Sequence, residues 1–273
     1  MDLRNLDNLK QFLASHQLKL RKSLSQNFLV ERELLERIVQ ESNVRQGDRV
    51  FEIGPGLGAL TLSLLEAGAS VVAIEKDTAF AGWLPKLLKE YKDRLQVIEG
   101  DALQYSFTEK MKVVSNIPYQ ITVPILNFLA TQRTLISQIT LLLQKEVGEK
   151  MMATPGSKKN IPLALFSQFY FDLIPLFEVS KKHFFPVPKV DSIVLVLDPK
   201  ETLPLPSHQI ESFFSFIDKC FTHKRKMLRS TLKRTDYFEK IGVNVTARPE
   251  DLSLEDYLLL FGLFSTQSEG NST

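Results

Sequence analysis

The chain has 273 residues, 44% of them hydrophobic and 24% charged, which suits one large domain with a smaller companion and excludes disorder as the main state. The single cysteine, Cys220, excludes an internal disulfide and fits a reducing cytoplasm. No apolar run approaches the roughly 18 residues of a membrane span, and the opening Met1-Asp2-Leu3-Arg4 lacks the apolar segment of a signal peptide. The formal net charge of +2, taken whole, is no nucleic-acid footprint, yet the charge is segregated. Residues 46–109 hold ten acids and six bases, residues 219–234 hold seven bases and no acid, and from 236 onward seven acids face two bases.

Residues 1–30 read as an arm ahead of the first helix. Short runs rich in branched residues at 50–53, 71–74, 95–98, 112–115 and 139–143 have the form of strands covered on both faces. Helical patterns such as 61–67 and 80–91 lie between them, and this alternation predicts an α/β fold with a doubly wound, mostly parallel Rossmann-like sheet. The runs 173–179 and 192–197 have no helix between them and are expected as an antiparallel pair at one sheet edge. Three prolines in 198–206 mark the expected domain boundary. Beyond it Ile210, Phe213, Phe214, Ile217 and Phe221 recur at helical spacing, so 207–273 reads as a small helical domain after a larger domain of 1–206.

Glu52-Ile53-Gly54-Pro55-Gly56-Leu57-Gly58 follows the first such strand. Glycines there permit a tight turn and close approach of a ligand to the backbone. Glu75 ends the next strand at the spacing where a carboxylate accepts both ribose hydroxyls. The same pattern, Gly54-x-Gly56-x-x-Ala59, also satisfies a dinucleotide fingerprint, so a dehydrogenase competes at this point, although Pro55 removes one amide that a pyrophosphate would use. Gly100-Asp101-Ala102 follows the third strand and offers a carboxylate to an adenine amine. Asn116-Ile117-Pro118-Tyr119 follows the fourth, outside the carboxyl ends where open α/β sheets bind ligands. The Asn116 amide oxygen and a neighbouring backbone carbonyl are both acceptors and can grip an exocyclic amine. Pro118 holds Ile117 extended, and Tyr119 offers a stacking face.

With these motifs in register the sequence resembles the S-adenosylmethionine-dependent adenine dimethyltransferases of ribosomal RNA. It is most similar to the branch that dimethylates two adjacent adenosines near the 3′ end of small-subunit (16S) rRNA. The resemblance spans nearly the whole chain and includes Gln26-Asn27-Phe28-Leu29, Leu143-Gln144-Lys145-Glu146-Val147, 184–192 (Phe184-Phe185-Pro186-Val187-Pro188-Lys189-Val190-Asp191-Ser192) and Lys224-Arg225-Lys226-Met227-Leu228-Arg229. It implies a cytoplasmic, monomeric methyltransferase of ribosome biogenesis acting on a pre-assembled small-subunit particle, without metal or membrane.

Residue by residue, the resemblance implies that Asn27 and Leu29 close over the methionine end of the cofactor. Gly54 and Gly56 pack beside it, Glu75 holds the ribose, and Asp101 with Ala102 receives the adenine. Asn116 and the Ile117 carbonyl orient the target amine, with Tyr119 on one face of the base and Phe184 near the other. The seven bases of 219–234 are expected on a helix, where Lys224, Arg225, Lys226 and Arg229 would contact RNA together with Lys181, Lys182 and Lys189. The alternatives are a large-subunit methylase of the antibiotic-resistance type and a nucleic-acid-binding transcription-factor relative. Three departures from the family pattern stand out: Ser25 replaces a glycine, 159–164 reads Lys159-Asn160-Ile161-Pro162-Leu163-Ala164 where Tyr-Gly-Arg-Leu-Ser is usual, and Phe185 and Val187 replace commoner small or proline residues beside the expected target pocket.

Overall fold

The elements in chain order are α1 (Leu6–Ser15), β1 (Phe28–Leu29), α2 (Arg32–Glu41), β2 (Arg49–Ile53), α3 (Ala59–Glu66), β3 (Ser70–Glu75), α4 (Thr78–Leu87), β4 (Leu95–Glu99), β5 (Met111–Asn116) and α5 (Thr122–Thr131). There follow β6 (Ile136–Gln144), α6 (Lys145–Met151), α7 (Pro162–Tyr170), β7 (Phe171–Val179), β8 (Phe184–Phe185), β9 (Ser192–Pro199), α8 (Ser207–Phe221), α9 (Leu228–Leu232), α10 (Thr235–Lys240) and α11 (Leu254–Gly270). This computed structural model describes residues 2–21, 24, 26–223 and 226–270, the side chains of 266–270 excepted. The chain forms two compact units, Met1–Gly148 with Leu173–Pro199, and Glu149–Asp172 with Lys200–Thr273.

The first unit carries a seven-stranded sheet in the order β4-β3-β2-β5-β6-β9-β7. The pairs β2–β3, β3–β4, β2–β5 and β5–β6 are parallel, whereas β9 runs antiparallel to β6. All seven expected strands are present, with β9 and β7 side by side at one edge. Val50, Phe51, Val113, Val114, Ile139 and Leu141 are fully buried, as doubly covered strands require. The chain leaves β2 for β3 on one side and later returns to β5 on the other. The carboxyl ends of β2 and β5 therefore form the switch point where such sheets bind ligands.

The arm contains a helix that the sequence reading did not place. Asn5 caps α1 by accepting hydrogen bonds from the amides of Asp7 and Asn8 at 2.9 and 3.2 Å. Leu9, Phe12 and Leu13 then pack with Leu57 and Phe80. The chain continues into β1, which pairs antiparallel with β8, Phe28 opposite Phe185 and Leu29 opposite Phe184.

The second unit is helical, but its extent differs from a single cut near 206, because residues 149–172 belong to it. Leu165 and Phe169 of α7 share a core with Phe213, Ile217, Cys220 and Phe221 of α8 and with Tyr257, Leu260 and Phe261 of α11. Asn160, from the segment that departs from the family pattern, is 1% exposed. Its Nδ2 donates to the carbonyls of Glu250 and Leu252, both at 2.9 Å, and so fastens 149–172 to the C-terminal residues. Asn160→Ala leaves both carbonyls without this donor and is expected to lower stability by about 2–4 kcal/mol. A denaturant titration with an unchanged midpoint contradicts that role.

The basic stretch is not one helix. Lys219 lies in the last turn of α8, and α9 starts afresh at Leu228. The break turns Leu228 and Leu232 into the core, which a continuation of α8 past Phe221 interrupts. Among the described residues no helix is long and apolar enough to cross a membrane.

Candidate active site

At the switch point lies a cavity of about 250 Å³. Its lining includes Asn27 and Leu29 from the arm, Gly54 and Gly56 after β2, Glu75 at the end of β3, Asp101 and Ala102 after β4, and Asn116, Ile117 and Tyr119 after β5. Ten of the residues singled out by sequence are thus brought together. Phe184 is not among them: it is 2% exposed and packs in the same core cluster as Leu29. Pairing of β1 with β8 sets Leu29 opposite Phe184, and both belong to that buried cluster.

The glycine loop owes its shape to backbone that only glycine tolerates well. Gly54 has φ +65° and Gly56 φ +59°, and a Cβ on Gly56 would stand 2.7 Å from the Phe28 ring. The loop amides are already engaged. Gly54 N donates to Ile74 O at 2.9 Å, Gly58 N to Pro55 O at 3.0 Å, and Gly56 N to Glu75 Oε2 at 2.8 Å. A pyrophosphate wants such amides open, so the loop disfavours a dinucleotide.

Glu75 is 6% exposed. Its other oxygen, Oε1, accepts from Asp77 N at 2.8 Å, and burial pushes its carboxyl above the ordinary range against these hydrogen bonds. Both oxygens keep lone pairs for further donors. Asp101 is set differently. Lys76 donates to it at 2.8 Å and the Leu103 amide at 3.1 Å, and the Lys76 ammonium foremost holds its carboxyl below the usual range. The cavity thus has two acceptor carboxylates toward β3 and β4, with the apolar Leu29, Ile74, Leu103 and Ile117 in its wall. Carboxylate acceptors for ribose hydroxyls and an adenine amine, beside apolar surface, fit S-adenosylmethionine.

On the β5 side, Asn116 Nδ2 donates to Asn27 O at 3.2 Å. This commits the amide nitrogen to the arm and turns Oδ1 to the acceptor role. Ile117 is buried and anchored by its amide to Leu142 O at 3.2 Å. Tyr119 is half-buried, with its hydroxyl 2.8 Å from Ser192 Oγ, and burial raises the phenol above its ordinary value.

Sequence reasoning missed the role of Glu52, although it stands in the glycine motif. It lines the cavity, is 2% exposed, and accepts from Thr61 Oγ1 at 2.7 Å. Burial, with the nearby Glu75 charge, pushes its carboxyl up to about 8, a shift that only the packed structure creates. The ordinary value is 4.5, so between 4.5 and 8 the folded protein holds a proton that the unfolded chain has lost. Stability therefore falls as pH rises through that window. Glu52→Gln keeps the shape without the charge. It is expected to gain stability over the wild type as pH rises, on the order of 5 kcal/mol across the window at about 1.4 kcal/mol per unit. Parallel melting curves for the two proteins over the same pH range contradict it. Lys76, Gln26 and Asp77 were also missed; Lys76 follows Glu75 directly, and the other two are joined only by tertiary contact.

Of the bases expected at RNA, Lys181, Lys182 and Lys189 are exposed in the first unit, and Lys226 and Arg229 in the second. Lys224 and Arg225, like Ser25, lie outside the described residues. Three of the C-terminal acids make local contacts: Asp236 pairs with Arg234 at 2.9 Å, Asp251 accepts from Arg248 N at 2.7 Å, and Asp256 from Ser253 N at 2.8 Å.

Known proteins resemble this chain over most of its length. A family model described as ribosomal RNA adenine dimethylase matches residues 17–266. Ribosomal RNA small subunit methyltransferase A of Protochlamydia amoebophila is 39% identical over 270 residues, covering 93% of this chain and 94% of its own. The protein of that name from Chlorobaculum tepidum is 38% identical over 261 residues, covering 93% and 92%. Among solved structures, a dimethyladenosine transferase from Plasmodium falciparum matches with a TM-score of 0.77 at 27% identity over 86% of this chain and 96% of its own. The 23S rRNA methyltransferase ErmE matches with a TM-score of 0.70 at 26% identity over 86% and 98%. A family match over nearly the whole chain, joined to a glycine loop whose amides are already engaged, leaves no place for the dehydrogenase reading. The chain belongs to the ribosomal RNA adenine dimethylases, which are S-adenosylmethionine-dependent methyltransferases.

Proposed function

We propose that the protein dimethylates the exocyclic amines of two adjacent adenosines near the 3′ end of small-subunit rRNA, as a step of ribosome biogenesis. The observation that carries the reading is the Asn116 amide, its nitrogen held by Asn27 O at 3.2 Å and its oxygen left to accept at the cavity. The relatives named for the small subunit support that substrate over the large subunit.

S-adenosylmethionine supplies an activated methyl group on a sulfonium. When it is bound, Asn27 and Leu29 would cover its methionine end, Gly54 and Gly56 would pack against it, Glu75 would accept from the ribose hydroxyls, and Asp101 beside Ala102 would accept from the adenine amine. An adenine amine is a poor nucleophile because its lone pair is delocalised into the ring. Asn116 Oδ1 and the Ile117 carbonyl each take one of its hydrogens. This favours a pyramidal nitrogen whose lone pair would face the methyl. The new N–C bond would form as the S–C bond breaks to leave a neutral thioether, and the amine's spare proton would pass to water. The task of the residues is orientation in line, and the two acceptors strengthen as positive charge develops on nitrogen. The base must leave its stack, at a cost of a few kcal/mol that stacking on Tyr119 partly offsets. Phe184, buried in the same core cluster as Leu29, supports the pocket wall. Lys181, Lys182, Lys189, Lys224, Arg225, Lys226 and Arg229 bind rRNA phosphates and make association salt-dependent.

The test is incubation with labelled S-adenosylmethionine and undermethylated small and large ribosomal particles in separate reactions. Label on the small particle is expected. Label confined to the large particle overturns the substrate assignment.

A further inference from the structure

We infer that Gln26 is a positioning residue that clasps the arm to Asp77 and so sets both the cofactor cover and the Asn116 amide. The inference rests on the methyltransferase reading above and assigns a task to two residues outside it. Gln26 Nε2 donates to Asp77 Oδ2 at 3.1 Å, and Gln26 Oε1 accepts from the Arg21 amide at 2.7 Å. The Arg21 guanidinium reaches the same Asp77 oxygen at 3.3 Å. One side chain thereby links the Arg21 backbone to a carboxylate that is 2% exposed.

Asp77 is a rigid post. Its Oδ1 caps α4 by accepting from the amides of Ala79 and Phe80 at 3.0 and 3.3 Å, and its own amide donates to Glu75 Oε1 at 2.8 Å. The other Glu75 oxygen holds Gly56 N at 2.8 Å. Arm, ribose carboxylate and glycine loop are therefore joined through consecutive hydrogen bonds. The residue after Gln26 is Asn27, whose carbonyl accepts from Asn116 Nδ2 at 3.2 Å. Shifting the arm at Gln26 moves the acceptor that orients the amine-gripping amide. The arm then carries two tasks that a cover alone does not need, and misplacement by about an ångström is enough to cost turnover.

The prediction separates this role from a merely structural one. Gln26→Ala removes both contacts of a half-buried surface side chain and leaves the melting temperature nearly unchanged. It is expected to weaken S-adenosylmethionine binding about fivefold and to lower kcat on undermethylated small particles about tenfold at saturating cofactor, the loss of one charge-assisted hydrogen bond. Gln26→Lys restores a donor to Asp77 and should recover most of both losses. Wild-type affinity and kcat in Gln26→Ala overturn the inference, as does an equal loss in Gln26→Lys, which shows that the bond to Asp77 is not the operative contact. If the wild-type protein leaves small particles unlabelled, the substrate reading fails, and calorimetric titration of the same variants with S-adenosylmethionine alone still decides the clasp.

Discussion

Asn116→Ala is expected to bind S-adenosylmethionine within a few-fold of the wild type and to transfer methyl about 10²–10³ times more slowly, the loss that follows removal of one preorganised polar group from a transition state. The side chain supplies one of two acceptors for the amine, and alanine leaves that hydrogen without a partner. Burial of the fold is barely altered, because Asn116 ends β5 and is only half-buried. Asn116→Asp sharpens the point. It keeps an acceptor but loses the donor that Asn27 O receives, placing a carboxylate against a carbonyl, so it should also be slow. Single-turnover rates on small particles, with cofactor affinity measured beside them, provide the test. A near wild-type rate for Asn116→Ala removes Asn116 from the reacting centre.

Glu75→Ala is expected to weaken S-adenosylmethionine binding about 100-fold, as the loss of charge-assisted hydrogen bonds to the ribose implies. It also deprives the amides of Gly56 and Asp77 of their acceptor, which loosens the glycine loop. Turnover at saturating cofactor should recover much of its wild-type value, because Glu75 stands away from the target amine. Titration calorimetry distinguishes the outcomes: unchanged affinity excludes Glu75 from the cofactor site, and a defect in kcat alone assigns it to another step.

Much of this site was legible because its residues lie at the ends of strands whose buried, branched runs are local in sequence. Once β2, β3, β4 and β5 are placed, Gly54, Glu75, Asp101 and Asn116 fall at their carboxyl ends. What was not legible depends on contacts distant in sequence. Glu52 looks like any motif carboxylate until Thr61 and a buried neighbour surround it. The arm helix α1 is short and rich in polar residues, and its apolar face finds partners in residues distant in sequence such as Leu57, Phe80 and Trp83. Residues 149–172 join the helical unit through Asn160 and Phe169, which no composition change announces. The bases of 219–234 looked like one helix, but Leu228 and Leu232 require a turn into the core. Phe184 carries the family pattern, yet it is 2% exposed in the core cluster shared with Leu29, a burial that only tertiary packing creates.

The most direct measurement is mass-spectrometric mapping of methylated nucleotides after undermethylated small particles are incubated with the wild-type protein and S-adenosylmethionine. The account predicts dimethyladenosine at two adjacent adenosines near the 3′ end and none with Asn116→Ala. Methyl groups on another base or at scattered adenosines, or an unchanged map with the variant, contradict it.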